Sequence, residues 1–113
     1  MLKTTIAPRQ IAQEIVKFLS KYIIVDRLIL FGSYNNGNSR EDSDLDIAVI
    51  SEDIEKMSVL EKIELFSKVA IIVDSRIELK GFSKSEFLNP EQGSILELIK
   101  NEGRVIYQGV GGE

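Results

Sequence analysis

One stretch of the sequence, residues 27–51, constrains the fold more than any other. It reads RLILFGSYNNGNSREDSDLDIAVIS: an apolar run ends at Gly32-Ser33, ten residues follow, and Asp44-Leu45-Asp46 leads into a second apolar run. Short apolar runs that are bounded by turn-forming residues are typical of strands. We therefore predict strands at 27–31 and 45–50, the first of them buried on both faces. Ser33 can also cap a short helix that starts at Tyr34.

Further helices and strands are predicted on both sides of this stretch. Apolar residues recur at helical spacing and predict a helix at about 8–22; they are Ile11, Ile15, Phe18, Leu19 and Tyr22. Ser58 and Glu61 fit a capping box, and a helix is predicted at about 55–70. Strands are predicted at about 76–81 and 104–107. Between them a helix should begin at Asn89-Pro90, contain Gly93 and end at Gly103. Residues 1–108 thus form one predicted domain, and residues 109–113 a disordered tail.

The composition limits the chemistry that the protein can perform. The 113 residues include no cysteine and no histidine, which excludes disulfides and thiolate sites and argues against zinc. Chemistry must therefore rely on carboxylates, hydroxyls, Lys, Arg and an oxygen-preferring metal. No apolar run approaches the length of about 20 residues that spans a bilayer, and the N-terminus lacks a secretory h-region. We expect a cytoplasmic protein without a membrane partner. Its net charge of −4 argues against a broad nucleic-acid surface.

The two aspartates at the start of the second strand are the strongest candidates for chemistry. Residues i and i+2 of a strand point to the same face, so Asp44 and Asp46 should project together. Two ionised carboxylates repel each other unless a positive group lies between them, and Mg²⁺ or Mn²⁺ is the natural filler. Gly32 lets the backbone approach a phosphate closely, and Ser33 adds a hydroxyl donor. A lone D-x-D or Gly-Ser usually marks a solvated turn, whereas the combination at this spacing favours a function.

Two other classes of protein also contain a D-x-D motif. Asp42, Asp44 and Asp46 satisfy the first half of an EF-hand calcium loop, but Ile47 and Asp53 stand where that loop needs Gly and Glu, so we reject it. A sugar-nucleotide glycosyltransferase also uses D-x-D with a metal. The chain is short for such an enzyme, and the Gly-Ser spacing would have no role in it.

Gly32-Ser33, ten residues and Asp44-Leu45-Asp46 resemble the GS-x10-DxD signature of the nucleotidyltransferase superfamily that includes DNA polymerase β. The small size is similar to its minimal members, the MNT group. The resemblance implies an α/β (α+β) fold, with a small mixed β-sheet and helices against one face. It implies transfer of a nucleoside monophosphate, with AMP from ATP the favoured case, to an acceptor hydroxyl. Asp44 and Asp46 would bind two Mg²⁺ ions, and Gly32 and Ser33 would bind the triphosphate.

A third carboxylate completes the site in this superfamily, and the resemblance points to Glu78 as a metal ligand and base. Strand alternation puts Arg76, Glu78 and Lys80 on one face. Either that face is solvated and Glu78 pairs with Arg76 or Lys80, or the face turns toward the two aspartates. Asp74 is the alternative third carboxylate. Many relatives have Asp at this position, and the segment 34–37 lacks the Arg that minimal members often carry.

MNT proteins often resemble the antitoxin half of a pair whose helical HEPN partner some of them nucleotidylate. A chain of this length fits a protein that needs such a partner. The first hypothesis is therefore a Mg²⁺-dependent nucleotidyltransferase that acts on a HEPN-like protein. The second is a binding module that neutralises or positions the partner with little or no catalysis. The acceptor, the donor base and the oligomeric state, a homo-oligomer included, are left open by the sequence.

Overall fold

The structure is a computed structural model that describes residues 8–32 and 44–109. Its helices are α1 (Pro8–Leu19), α2 (Val59–Ile72), α3 (Lys84–Leu88) and α4 (Ile95–Glu102), and a 3₁₀ helix spans Glu52–Lys56. Its strands are β1 (Arg27–Phe31), β2 (Leu45–Ile50), β3 (Ile77–Phe82) and β4 (Arg104–Gln108). The strands form one sheet in the order β3-β2-β1-β4. Both neighbours of β1 are antiparallel to it, whereas β2 and β3 are parallel. The predicted mixed sheet with helices is confirmed.

Strand β2 is buried on both of its faces, as its apolar sequence requires. Leu45, Ile47 and Val49 point to one face, where they pack with buried residues of α1 and α2. Ala48 and Ile50 point to the other face, where they pack with Ile29 and with buried residues of α3 and α4. Helices therefore cover both faces rather than one. The alternation also fixes the side of Asp46, which shares the face of Ala48 and Ile50.

Two predicted helices have the right place but shifted bounds. Helix α1 ends at Leu19 rather than at 22, because the chain turns there to enter the sheet: Ile23 N–H donates to Leu19 O, and Tyr22 stays 58% exposed. Helix α2 begins at Val59 because Ser58 and Glu61 form the predicted capping box. The preceding residues, which the prediction placed in α2, belong partly to the 3₁₀ helix. The predicted strand at 76–81 is β3, one residue later.

The predicted start of the last helix is wrong. Ser94, not Asn89, is the N-cap of α4, and its Oγ accepts from Glu97 N at 3.1 Å. Gly93 precedes the helix with φ of +80°, a conformation that glycine adopts without strain. Gly103 follows α4 in an extended conformation rather than a left-handed one. There is no space for a larger residue at this position, since a Cβ would collide with Ile29 Cγ2.

Helix α3 was not predicted, although its signal is present in the sequence. Ser83 and Glu86 form a second S-x-x-E capping box, in which Ser83 Oγ accepts from Glu86 N and Glu86 Oε1 accepts from Ser83 N. Asn89, predicted to start a helix, is instead the C-cap of α3. The predicted disorder of the tail stays a prediction. Gly109 N donates to Asp26 O at 2.8 Å, and residues 110–113 lie outside the described residues.

The buried cap of α3 gives the first test. Ser83→Ala should lower the free energy of unfolding by about 0.5–2 kcal/mol, because an N-terminal amide of the helix loses its acceptor. Urea denaturation followed by circular dichroism measures the change. Ser67→Ala is the matched control, since its exposed Oγ donates to Glu64 O within the same helix and caps no helix end. Equal unfolding midpoints for the two variants would show that the cap contributes nothing.

Candidate active site

Three strand ends bring the predicted site residues to one edge of the sheet. In the antiparallel pair of β1 and β2, Phe31 lies opposite Asp46, so Gly32 follows β1 where β2 begins. In the parallel pair of β2 and β3, Asp46 lies opposite Glu78. Neighbouring strands are about 4.7–4.9 Å apart. The structure therefore places Gly32, Asp46 and Glu78 side by side, as expected for adjacent strands.

Gly32 contacts the carboxylate of Asp46 directly. Its φ is +85°, which disfavours any residue with a Cβ. A Cβ at this position would also lie 2.6 Å from Asp46 Oδ2. The turn therefore favours glycine here, and a larger residue would also displace the Asp46 carboxylate. Ser33, its predicted partner in triphosphate binding, lies outside the described residues, as does the short helix predicted from Tyr34.

Asp46 is a carboxylate in an unfavourable setting for a negative charge. Partial burial raises its pKa, and the negative charges of Glu78 and Asp44 raise it further. The Lys80 ammonium acts in the opposite direction but does not outweigh them. Asp44 itself is exposed, just before the start of β2. Such a concentration of negative charge favours the binding of a cation.

The structure separates the two candidates for a third carboxylate. Asp74 is held by Arg76, which donates from Nε to Oδ1 at 3.1 Å and from Nη2 to Oδ2 at 2.8 Å. These bonds to Arg76 lower the pKa of Asp74. Glu78 has a side chain that is 56% exposed and lies 3.8 Å from Lys80 Nζ. Because Asp74 is engaged by Arg76, whereas Glu78 lies opposite Asp46 in the register of the two strands, the geometry favours Glu78.

Lys80 also belongs to this site, although the sequence alone did not indicate it. The strand pattern alone indicates Lys80 only as a surface partner for Glu78. The alternation of β3 puts the side chains of Glu78 and Lys80 on the face that carries Asp46, and that alternation was the signal available in the sequence. The sheet thus presents three carboxylates and one ammonium at this edge.

A hard divalent cation suits the donors that this edge offers. Asp44, Asp46 and Glu78 supply only carboxylate oxygens, which Mg²⁺ and Mn²⁺ prefer. Within residues 8–32 and 44–109, no three or more acidic side chains are already arranged to hold a metal ion. The assignment of these residues as ligands of two metal ions therefore stays a prediction.

No helix in the same ranges is long and apolar enough to cross a membrane.

A family model described as "Polymerase beta, Nucleotidyltransferase" matches residues 13–109. The match extends from α1 through β4 and includes every strand end described above. A search of curated proteins finds no significant match to this chain.

Solved structures share the fold. The crystal structure of a toxin–antitoxin with AMP-PNP contains a chain that is 26% identical, with a TM-score of 0.62 over 87% of this chain and 73% of that one. A candidate nucleotidyltransferase from Sulfolobus solfataricus is 19% identical, with a TM-score of 0.65 over 92% and 83%. A complex of tri-AMPylated Shewanella oneidensis HEPN toxin with MNT antitoxin contains a chain 23% identical, with a TM-score of 0.57 over 91% and 74%.

The contact between Gly32 and Asp46 can be tested against a second glycine. Gly32→Ala and Gly93→Ala both place a Cβ at positive φ, which should cost about 1–2 kcal/mol of stability in each case. Only at Gly32 does the new Cβ meet a side chain; at Gly93 nothing lies within 4 Å. Gly32→Ala should therefore lose roughly 1 kcal/mol more, the low end for overpacking because a carboxylate can rotate away.

A double-mutant cycle identifies the source of this excess. Repeating Gly32→Ala in an Asp46→Ala background removes the colliding oxygen, so the excess over Gly93→Ala should disappear. Urea denaturation of the four proteins gives the coupling free energy. If Gly32→Ala and Gly93→Ala lower the free energy of unfolding equally when Asp46 is present, the close contact between Gly32 and Asp46 is contradicted.

Asp46 and Asp74 should respond to pH with opposite signs. The pKa of Asp46 is raised in the folded protein. The folded protein therefore loses stability as pH rises from below the unfolded-state pKa of about 3.9 through the higher folded-state pKa. Asp46→Asn should therefore raise the melting temperature of the metal-free protein at pH 7. A lowered pKa means that Asp74 stabilises the fold above about pH 3.9 and that this contribution is lost as pH falls through the folded value. Asp74→Asn should therefore lower the melting temperature at pH 7.

Both differences from the wild-type protein should shrink at acid pH, where the aspartates are protonated in the folded and unfolded states alike. Thermal denaturation in the presence of a chelator, at pH 7 and at the lowest pH where the protein remains folded, measures them. Destabilisation by Asp46→Asn at pH 7 would show that its carboxylate is not held against an excess of negative charge.

Proposed function

Since the chain belongs to the family of polymerase β-type nucleotidyltransferases, we propose that it transfers AMP from ATP to a hydroxyl group of a HEPN-like partner protein. The observation that supports this most is the contact of Gly32 with the Asp46 carboxylate, beside Glu78. This contact brings Gly32, from the Gly-Ser part of the signature, next to Asp46, from the D-x-D part, at one edge of the sheet. The reaction would take place in the cytoplasm with Mg²⁺ as the metal, Mn²⁺ being the alternative.

Each residue of the site has a role in this proposal. Asp44 and Asp46 would hold the cation, with Glu78 as a further ligand. Gly32 and Ser33 would bind the triphosphate, and the positive φ of Gly32 is one that glycine adopts without strain. When bound, Mg²⁺ supplies charge stabilisation for the phosphates during phosphoryl transfer.

The chemical step conserves every atom of donor and acceptor. The oxygen of the acceptor hydroxyl forms a bond to the α-phosphorus of ATP, and the bond from that phosphorus to the bridging oxygen of the β-phosphate breaks. The hydroxyl proton passes to Glu78, whose half-exposed carboxylate is accessible to an incoming partner. AMP remains on the acceptor and pyrophosphate leaves.

The solved relatives support the choice of donor and partner. One of them is a toxin–antitoxin crystallised with AMP-PNP, a close analogue of ATP. Another is an MNT antitoxin bound to a HEPN toxin that carries three AMP groups. By this analogy the acceptor would be a hydroxyl group on a helical toxin. The neighbouring reading frame in the genome is where such a partner should be sought.

Nucleotide binding is tested with Mg²⁺ and α,β-methylene ATP, in which the bond to be broken is replaced by an inert one. A ligand at 100 times its dissociation constant stabilises the folded state by about 2.7 kcal/mol, so the melting temperature should rise by roughly 10–20 °C. Asp44→Asn with Asp46→Asn should abolish the shift. Glu55→Gln with Glu64→Gln, which removes two exposed charges far from the site, should leave it unchanged. A full shift in the aspartate double variant would refute the metal site.

Transfer itself is measured with ATP labelled in the α-phosphate and the purified HEPN-like partner. Wild-type protein should label the partner. Glu78→Gln should abolish labelling while leaving the metal-free melting temperature nearly unchanged, since exposed ion pairs contribute only about 0–1 kcal/mol. A wild-type protein that binds the partner tightly but transfers nothing would support the alternative function, a binding module that neutralises the toxin.

A further inference from the structure

Lys80 lies where its positive charge faces the acidic edge of the sheet. It follows Glu78 by two residues on the same face of β3, and its register partner is Ala48, two residues after Asp46 on β2. Its Nζ is 3.8 Å from Glu78 Oε2, and its charge lowers the pKa of Asp46. One ammonium thus acts on two of the three carboxylates assigned to the site.

The contacts of Lys80 are too weak to assign it a role in stability alone. The pair with Glu78 is long, and the two side chains are 42% and 56% exposed. Exposed pairs of this kind contribute little to folding. By contrast, Arg76 at the start of β3 is held by Asp74 through two short bonds. Of these two basic side chains, Lys80 is therefore the one that can leave its carboxylate for another anion.

The site needs a positive group for a second reason. A triphosphate that approaches Asp44, Asp46 and Glu78 brings further negative charge to an edge that already repels anions. Metal ions offset part of this repulsion. A lysine adds a compact charge on a flexible stem, and lysine is a common ligand of phosphate groups. The stem of Lys80 starts next to Glu78, so its ammonium can reach either the carboxylates or a ligand bound above them.

We propose that Lys80 is the counter-cation of the carboxylates in the metal-free protein and binds the triphosphate of the donor nucleotide once a metal ion occupies the site. This role rests on the proposed function, because it requires a metal ion and a nucleoside triphosphate. It makes Lys80 a substrate-binding residue. The ammonium competes with a metal ion that binds alone, and it assists the same metal ion when the nucleotide is present.

Removal of the charge should therefore have opposite effects on two ligands. In Lys80→Gln, Mn²⁺ alone should bind about threefold or more tightly, because a competing cation is gone. Binding of α,β-methylene ATP with Mg²⁺ should weaken by about tenfold or more, the usual effect of losing one charge-assisted hydrogen bond. A residue that only supports the fold would weaken both ligands or neither.

The experiment is a pair of calorimetric titrations, with Mn²⁺ alone and with the Mg²⁺–nucleotide, on wild-type protein and three variants. Lys68→Gln is the matched control: it removes the same charge from an exposed position on α2, which packs on the opposite face of the sheet from Asp46. Lys80→Arg keeps the charge and should retain most of both wild-type affinities. Melting temperatures establish that each variant is folded.

The outcomes distinguish Lys80 from the wider proposal. Opposite changes in Lys80→Gln, absent from Lys68→Gln, support the role. If wild-type protein binds the nucleotide and Lys80→Gln binds it equally well, the Lys80 proposal is overturned while the proposed function stands. If Mn²⁺ binding weakens in Lys80→Gln, the counter-cation role is wrong. If wild-type protein binds no nucleotide, the proposed function fails, and the phosphate role of Lys80 fails with it.

Discussion

The site depends on the pairing of β2 with strands on both of its sides. β2 is antiparallel to β1 and parallel to β3, so the end of β1 and the starts of β2 and β3 lie at one edge of the sheet. The apolar residues of β2 are buried on both faces, which holds the strand in register at its centre. The buried apolar residues of β2 therefore fix the position of Asp46 in the sheet. A slip of one residue would turn its carboxylate toward α1 and α2.

The pKa values of Asp46 and Asp74 shift in opposite directions, and the surroundings of each carboxylate explain the difference. Asp74 has a bidentate arginine partner and a lowered pKa. Asp46 lies close to Gly32 and has a raised pKa, because it is partly buried and has acidic neighbours. The first arrangement stabilises the folded protein. The second opposes folding in the absence of a cation, as expected where a protein keeps charge for a ligand rather than for stability.

Much of the fold could be predicted because the signals were local and consistent. The apolar runs of β1 and β2 and the capping box of Ser58 are each contained within a few residues. The errors arose where two local signals competed. Asn89-Pro90 and Ser94 both resemble helix starts. The helix begins after Ser94, where the N–H of the preceding Gly93 donates to Glu97 Oε1 at 2.9 Å. Gly103 resembled a left-handed helix end, but contact with Ile29 on a distant strand requires the glycine there.

The sequence by itself determined which residues are the candidates for the chemistry. The spacing from Gly32-Ser33 to the two aspartates, and the absence of cysteine and histidine, left carboxylates and a hard cation as the candidates. Only the tertiary structure gives a reason to favour Glu78 over Asp74, and only it places Lys80 beside the acidic groups. Both depend on strand register and on the partner that each side chain finds. Those contacts join residues far apart in the chain, and a local pattern does not specify them.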